Sequence, residues 1–240
     1  MTLNAYNQRT ALLLGGQAID SLNNARVVIV GVGGVGAYAV EMIARSGVGH
    51  ITIIDGDKVA PSNLNRQLPA LISTIGTPKV EVMKQRITDI NPDCEVSAIN
   101  AFIGKDDVEA YMTPRPDFVI DAIDSISPKV ALLEYCYRNK IKVISSMGAG
   151  GRVDPTKVKY ADISETFHDG LAREVRKRLK KSGISSGIKT VFSTEQPRRN
   201  AIMMTDEIAF KVSSFGTVAW LPSLFGIMLA AYALNHIAEK

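Results

Sequence analysis

Short apolar runs separated by amphipathic stretches make up the first 150 residues of the chain. The runs are rich in β-branched residues, and the stretches between them repeat apolar positions at helical spacing. The runs predict strands at residues 26–30, 51–54, 95–99, 118–121 and 142–146. The amphipathic stretches predict helices at residues 78–90, 106–112 and 128–139. Because strands that alternate with helices form parallel sheets covered on both faces, we expect an α/β fold that is Rossmann-like, doubly wound and mainly parallel.

The pattern changes after residue 151. A strand near residues 157–161, a basic helix around 171–181, a short run at 190–193 and an apolar helix at 218–234 follow. We therefore expect a C-terminal extension of strands and helices within one domain that spans residues 1–240. Its parts are an N-terminal arm or helix, a nucleotide-binding half and a half that shapes the substrate site, at residues 1–25, 26–151 and 152–240.

Composition argues against several classes of protein. Hydrophobic residues make up 46% of the chain and charged residues 22%, which is ordinary globular usage and argues against disorder and fibrous repeats. Cys94 and Cys136 have no CxxC spacing, so we predict packing roles, no disulfide or structural zinc, and a reducing, cytoplasmic location. The start of the chain lacks a signal-peptide pattern, and the apolar stretch 218–234 contains Pro222 and is short for a spanning helix. We therefore expect no membrane partner.

A glycine-rich segment, GVGGVG at residues 31–36, lies directly after the first predicted strand and opens a predicted helix. In this setting Gly31 allows a tight turn, Gly33 and Gly34 let backbone approach phosphate, and Gly36 lets helix and strand pack closely. The N–H groups and dipole of the helix then attract phosphate. Asp55 ends the second predicted strand, where it can accept hydrogen bonds from ribose hydroxyls. This part of the sequence predicts a nucleotide site.

The polar segment after Asp55 distinguishes between kinds of nucleotide chemistry. Residues 62–67 read SNLNRQ, and Lys79 follows in GTPK, where Pro78 favours a helix start. Two cations near a triphosphate, Arg66 and Lys79, suit phosphoryl chemistry, in which positioning and charge neutralisation carry most of the catalysis. Hydride transfer has no such need. Taken singly, each cation is typical of a solvated surface charge, and it is the spacing of the two segments that favours the phosphate role.

Together these segments resemble a known superfamily. GVGGVG, IIDGDKVAPSNLNRQ, GTPKVE and DAIDS, in this order and at these separations, are similar to the ubiquitin-activating enzymes and to the bacterial activators of molybdopterin and thiamine biosynthesis. The resemblance implies an ATP site in which Asn63, Arg66 and Lys79 contact phosphates, with Gln67 and Asp57 in support. It also implies that Asp124 holds Mg²⁺. The alternative is that Asp124 is an N-terminal acid of the helix that follows it.

Further segments resemble one family within that superfamily, the tRNA threonylcarbamoyladenosine dehydratases. They are RT at residues 9–10, ARSGVG at 44–49, VIDAIDS at 119–125, MGAGGRVDP at 147–155 and TVFSTE at 190–195. The resemblance implies an enzyme that uses ATP to activate the carboxylate of a threonylcarbamoyl side chain on a tRNA adenosine and closes it into a ring. Attack on the activated carboxylate is intramolecular, so no cysteine intermediate is required.

The same resemblance implies partners. In related homodimers an N-terminal arginine reaches the partner subunit's nucleotide, and Arg9 occupies the matching place here. Dimerisation would also account for the apolar stretch 218–234, and a sulfur-trafficking protein is a further candidate partner. Although the net charge is only +4, residues 171–200 contain nine Lys or Arg and two acidic residues. For tRNA phosphates we therefore single out the cations Arg173, Arg176, Lys177 and Lys180; a solvated helix face would show the same residues.

Two rival functions remain open at this point. An adenylating enzyme could instead activate the C-terminus of a ubiquitin-like or sulfur-carrier protein, although such enzymes commonly carry CxxC pairs and a reactive cysteine that this sequence lacks. A dinucleotide-dependent reductase would leave the segment 63–67 and Lys79 unexplained, and the sequence offers no hydride-transfer group that we can place.

Overall fold

The structure, a computed structural model, describes residues 5–198, 201–204 and 213–239. Within these residues the main sheet contains β1 (Arg26–Val30), β2 (His50–Ile54), β3 (Glu95–Ile99), β4 (Phe118–Asp121), β5 (Val143–Ser146), β6 (Val158–Asp162) and β7 (Lys189–Ser193). The order across the sheet is β3-β2-β1-β4-β5-β7-β6. Neighbouring strands are parallel except β6 and β7, which are antiparallel. The expected α/β fold with a mainly parallel sheet is confirmed.

Helices cover both faces of the sheet. They are α1 (Gln8–Leu14), α2 (Gly16–Asn24), α3 (Gly36–Arg45), α4 (Lys79–Ile90), α5 (Val108–Tyr111), α6 (Ile126–Arg138), α7 (Gly170–Lys181) and α8 (Trp220–Ala238). Helices α2, α3, α4 and α8 pack on one face, and α5, α6 and α7 on the other. A second sheet pairs β8 (Ile202–Met204) with β9 (Ser213–Phe215) in antiparallel register.

The central strand β1 shows why the apolar runs do not alternate with polar residues. Val27 and Ile29 join the core on the face of α3 and α8, whereas Val28 and Val30 join the core on the face of α6. Successive strand residues point to opposite faces, so a strand covered on both sides is apolar throughout. The doubly wound arrangement therefore follows directly from the pattern of the first half.

Helix α8 accounts for the apolar C-terminal stretch. It is 19 residues long with a mean hydropathy of 1.4, sufficient by length and composition for a membrane span. It packs instead against α2, α3 and strands β4, β5 and β7, and it buries Leu221, Phe225 and Leu229 completely. Pro222 lies in the first helical turn, where proline is tolerated. Contacts within one chain therefore account for an apolar composition that the sequence suggested could come from dimerisation.

Helices α8 and α3 approach each other unusually closely at Gly226. A Cβ atom on Gly226 would stand 2.2 Å from the Val35 carbonyl oxygen and 2.9 Å from Tyr38 Cβ. Val35 lies in the glycine-rich segment at the start of α3. The backbone of α8 therefore packs directly against the end of the glycine-rich segment and the first turn of α3.

Gly226→Ala should lower the free energy of unfolding by roughly 1–3 kcal/mol, because the added methyl group overpacks this crossing. The matched control is Gly16→Ala, since a Cβ at Gly16 meets nothing within 4 Å. That control should be neutral or stabilising by up to about 1 kcal/mol. Urea unfolding measures both values, and equal stability of the two variants would contradict the close crossing.

Candidate nucleotide site

The glycine loop lies at the carboxyl ends of β1, β2 and β4, and its backbone is packed too tightly for side chains at two positions. Gly31 has φ 88°, and a Cβ there would stand 2.7 Å from the Ala122 carbonyl oxygen. A Cβ on Gly36 would stand 1.7 Å from the Gly31 carbonyl oxygen. The Gly31 N–H donates to the Ile54 carbonyl at 2.8 Å, which joins the loop to β2. The predicted tight turn and close helix contact therefore have a direct steric cause.

Asp55 connects the end of β2 to the glycine loop. Its Oδ2 accepts the Val32 N–H at 2.6 Å, and its Oδ1 accepts the Asp57 N–H at 2.8 Å. Burial raises the pKa of the Asp55 carboxyl, while the Lys79 ammonium and the two N–H donors counteract part of that shift. The carboxylate thus lies beside the loop, in position for a ribose. Its ribose contact stays a prediction.

Lys79 brings a buried positive charge to the same edge. Its side chain is only 5% exposed, and its Nζ lies 2.8 Å from Oδ2 of the more exposed Asp57. The Lys79 N–H also donates to the Asp57 carbonyl at 3.0 Å, which fixes the start of α4. An ammonium held in this way can exchange a carboxylate for a phosphate without moving its own backbone.

Arg66 and Gln67 lie against the glycine loop from the other side. Arg66 Cγ lies 3.5 Å from the place where a Cβ on Gly34 would stand, and Gln67 Nε2 lies 3.8 Å from that place on Gly33. Burial lowers the pKa of Arg66, and the neighbouring Asp124 carboxylate opposes that shift. The Oε1 atom of Gln67 is buried and has no hydrogen-bond donor among the described residues. The structure therefore gathers both predicted residues at the loop.

Asn63 has a local structural partner. Its Oδ1 accepts the Ala60 N–H at 3.0 Å, and this closes the short helical turn Pro61–Asn63. The following residues are bonded to the same turn. The Arg66 and Gln67 N–H groups donate to the Asn63 carbonyl at 3.1 and 3.0 Å. Asn63 thus sets the direction of Arg66 and Gln67; its phosphate contact stays a prediction.

Asp124 stands just outside α6, whose N-cap residue is Ser125. It is exposed and interacts electrostatically with Arg66, so it belongs to the same edge of the sheet. Within the described residues no group of three or more His, Cys, Asp or Glu could hold a metal alone. Mg²⁺ commonly takes one or two carboxylates together with substrate phosphates and water, so a single acid beside a triphosphate fits this ion.

A buried charge network, which the sequence pattern did not predict, lies next to this edge of the sheet. Lys129 and Asp121 are both fully buried, and Lys129 Nζ lies 2.5 Å from Asp121 Oδ2. Nζ also donates to Ser145 Oγ at 3.1 Å and to the Ser146 carbonyl at 3.0 Å. Asp121 Oδ1 accepts the Ile123 N–H at 3.0 Å. The network ties the turn that carries Asp124 to the end of β5. One feature of the sequence could have indicated the burial of Lys129: it lies at helical spacing from the apolar residues Leu132, Leu133 and Cys136, which are also buried.

The segment MGAGGRVDP is organised by a buried arginine. Arg152 is 3% exposed, and its guanidinium donates to the carbonyls of Gly148, of His168 at 2.7 Å and of Glu195 at 2.9 Å. Asp169 accepts the Gly148 N–H at 2.9 Å and caps α7 through the Ala172 N–H at 2.8 Å. The glycine-rich turn after β5, the start of α7 and the segment after β7 are therefore one unit.

The basic helix α7 is amphipathic, with Ala172, Val175 and Leu179 buried. Three of the four predicted RNA contacts, Arg173, Lys177 and Lys180, are exposed and share one helical face. Arg176 differs: it is partly buried and donates to Thr166 Oγ1 and, at 3.4 Å, to the Ile163 carbonyl. Because these bonds fasten α7 to the preceding turn, we keep only the other three as candidates.

Neither cysteine is prepared to act as a nucleophile. Burial raises the pKa of Cys94 to about 11 and that of Cys136 to about 12. The reactive form of cysteine is the thiolate, so both groups stay in the unreactive thiol form at neutral pH. This agrees with the packing roles predicted for them. Arg9 is exposed on α1, which packs on α2, and its function in a dimer stays a prediction.

Fold and site together define a nucleotide-binding α/β protein with cations converging on a glycine loop. The model of the ThiF family matches residues 6–240, and the chain belongs to that family. It is 40% identical over 242 residues to the tRNA threonylcarbamoyladenosine dehydratase of Bacillus subtilis (strain 168), covering 96% of this chain and 94% of the relative. The dehydratase of Escherichia coli (strain K12) is 40% identical over 256 residues, covering 98% and 96%.

Solved structures agree with these relatives. The E. coli dehydratase TcdA in complex with ATP has a TM-score of 0.90 and 39% identity, covering 100% of this chain and 98% of that chain. The molybdopterin-synthase adenylyltransferase of E. coli (strain K12) is more distant, with 37% identity over 152 residues and 63% of this chain covered. The predicted resemblance to the dehydratases is confirmed.

Lys129→Met should lower the free energy of unfolding by roughly 3–5 kcal/mol, because it leaves the Asp121 carboxylate buried without its cation. The double variant Lys129→Met/Asp121→Asn should recover most of the loss, since no charge is then left unpaired. Chemical denaturation of the two variants and the parent gives both numbers. Equal destabilisation in the single and double variants would show that packing, not charge, is what the network supplies.

Proposed function

We propose that this chain is an ATP-dependent tRNA threonylcarbamoyladenosine dehydratase. It would adenylate the carboxylate of threonylcarbamoyladenosine in tRNA and close the side chain into a ring. The observation that carries the proposal is the meeting of the glycine loop, Asp55, Arg66 and Lys79 at one edge of the sheet, in a chain that matches dehydratases over nearly its full length.

In the first step a carboxylate oxygen of the substrate attacks the α-phosphorus of ATP, and the bond to pyrophosphate breaks. The N–H groups at the start of α3 are placed to hold phosphate oxygens. Arg66 and Lys79 counter the negative charge that develops on the leaving pyrophosphate. Lys79 gives up its contact with Asp57 in exchange for a phosphate contact. Asp124 would hold Mg²⁺, which supplies further charge neutralisation on the phosphates when bound.

In the second step a nucleophilic group of the same side chain attacks the activated carbonyl carbon, and AMP leaves. The two reacting groups belong to one molecule, so a high effective concentration replaces covalent capture by the enzyme. The protonated state of Cys94 and Cys136 supports this route, because neither thiol offers a thiolate. Overall the RNA loses water, and ATP becomes AMP and pyrophosphate.

The rival function, activation of a carrier protein's C-terminus, has less support. The molybdopterin-synthase adenylyltransferase of E. coli (strain K12) covers only 63% of this chain, and burial raises the pKa of both cysteines here well above neutral pH. Pyrophosphate release measured in parallel with tRNA and with a carrier protein separates the two functions. Release with the carrier alone would replace our proposal with its rival.

We also propose a cytoplasmic homodimer in which Arg9 reaches the partner subunit's nucleotide. The support is the exposure of α1: Leu12 is 88% and Leu13 83% exposed, which a lone chain leaves in contact with water. A sulfur-trafficking protein is a candidate partner by resemblance alone, and failure to co-purify with such a protein from cell extract would count against it.

Asp124→Asn should reduce turnover by roughly 100-fold or more, because the acid that fits Mg²⁺ loses its charge. Binding of ATP without Mg²⁺ should change by less than about threefold, since the glycine loop and the two cations are intact. Steady-state kinetics and calorimetry provide the two readouts. Asp106→Asn, at an exposed acid before α5, is the control, and a matching loss in that control would remove Asp124 from its assigned role.

Lys177→Gln/Lys180→Gln should raise the KM for tRNA with little effect on that for ATP. Two lost phosphate contacts lower the log–log salt slope of tRNA binding by about 1.4–1.8. The control Lys84→Gln/Lys105→Gln removes the same charge from exposed positions on and near other helices. An unchanged slope would assign this face of α7 to solvation.

A mixed dimer of Arg9→Ala and Asp124→Asn subunits should regain part of the activity that each variant lacks alone. If Arg9 acts across the interface, one site of the mixed dimer combines an intact Arg9 with an intact Asp124. Activity assays on co-expressed, tag-separated dimers measure the recovery. A monomer in sedimentation analysis, or no recovery, would rule the arrangement out.

A further inference from the structure

A cluster of lysines lies at the amino-terminal edge of the sheet, opposite the edge that carries the glycine loop. A cleft of about 270 Å³ opens there between the ends of α6 and α8 and the first residues of β4, β5 and β7. Its charged and aromatic lining residues are Phe118, Tyr137, Lys140, Lys142, Lys189, Tyr232 and His236.

The three lysines give this cleft an excess of positive charge. Within the described residues none of them takes part in a salt bridge. The end of α6 does not offset them, because Arg115 already donates to the Asn139 and Lys140 carbonyls, both at 2.9 Å. A helix end contributes only about half a negative charge. Two acids lie near the cleft. Asp117 accepts the Arg26 N–H on the side of β1, and Asp162, opposite Lys189 in the sheet, accepts the Ser164 and Gly187 N–H groups at 2.9 and 2.7 Å.

Aromatic rings accompany these cations. The Lys189 ammonium lies 5.9 Å from the centre of the Tyr232 ring, and Tyr137 is 45% exposed beside Gly187. Cations that meet phosphates, together with aromatic rings that can stack on bases, are the combination that binds single-stranded nucleic acid. A small inorganic anion would make no use of the rings.

Helix α7 connects this cleft with the substrate side of the molecule. Its N-cap residue Asp169 binds the glycine-rich turn at Gly148. Its C-cap residue Ser182 accepts a hydrogen bond at 3.0 Å from Arg138, which follows the cleft-lining Tyr137 on α6. A helix of 12 residues spans about 18 Å. The exposed cations of α7 therefore lie between the two edges, and only a long polyanion could contact the glycine-rich turn, α7 and the cleft at once.

We infer that this cleft is a distal anchoring site for the phosphate backbone of the tRNA substrate, continuous with the basic face of α7. The inference rests on the proposed function. It goes further by assigning Lys142 and Lys189 to RNA that lies far from the reacting adenosine. A short RNA hairpin carrying the modified adenosine would fill the catalytic edge and leave the cleft unused.

The test compares two substrates, full-length tRNA and such a hairpin, in Lys142→Gln/Lys189→Gln. Lys140 is left unchanged because its backbone is left-handed, with φ 53°.

For full-length tRNA we expect KM to rise roughly three- to tenfold, since each exposed ionic contact is weak, and the salt slope to fall by about 1.4–1.8. For the hairpin we expect kcat and KM within twofold of the parent. Lys84→Gln/Lys105→Gln is the control, and thermal unfolding checks that each variant is folded.

Two results would overturn the inference. One is an unchanged KM and salt slope for full-length tRNA in the variant; the other is an equal loss on tRNA and hairpin, which would place the lysines' effect at the catalytic edge. Failure of the proposed function looks different, because the parent protein would then convert neither RNA although it binds ATP.

Discussion

The site depends on how closely the backbone of the glycine loop is packed. A side chain on Gly36 would collide with the Gly31 carbonyl, and one on Gly31 would collide with the turn after β4. A side chain on Gly226 of α8 would collide with the Val35 carbonyl. These contacts leave no room for side chains, so the first N–H groups of α3 keep a fixed direction. A phosphate site built from backbone requires this rigidity, because its donors cannot adjust as a flexible side chain can. Position and direction of the loop thus come from contacts made by three separate elements.

Charge is arranged around this loop in two layers. Facing the loop are Asp55, Lys79 and Arg66, whose burial strengthens each interaction with a phosphate because water screens it less. Behind them lies the fully buried pair of Lys129 and Asp121, which has no direct access to a ligand. Such a pair contributes little net stability compared with an apolar core, but breaking one partner is costly. Its effect is to fix the Asp124 turn relative to β5.

The C-terminal extension links the sheet edge that carries the glycine loop to the outer surface. Arg152 and Asp169 join the glycine-rich turn after β5, the start of α7 and the segment after β7. Under the proposed function, a tRNA substrate would place one nucleotide at that edge while most of its charge contacts protein elsewhere. The basic face of α7 and the cleft at its far end offer such contacts at a distance from the reacting group.

The sequence by itself determined the order of strands and helices, the parallel sheet and the glycine loop, because local periodicity and steric demand act on neighbouring residues. It also placed Asp55 beside the glycine loop, since strand ends in a parallel sheet meet at one edge. Arg66 and Lys79 joined that candidate site through the spacing of their segments and the superfamily resemblance. Only the tertiary structure showed that Arg176 bonds within the protein, that Lys129 is buried and that Arg152 joins the turn after β5 to the start of α7. These residues look like ordinary surface cations in a linear chain. What distinguishes them is the set of carbonyls and carboxylates that folding brings from distant positions, and that set is decided by packing rather than by local pattern.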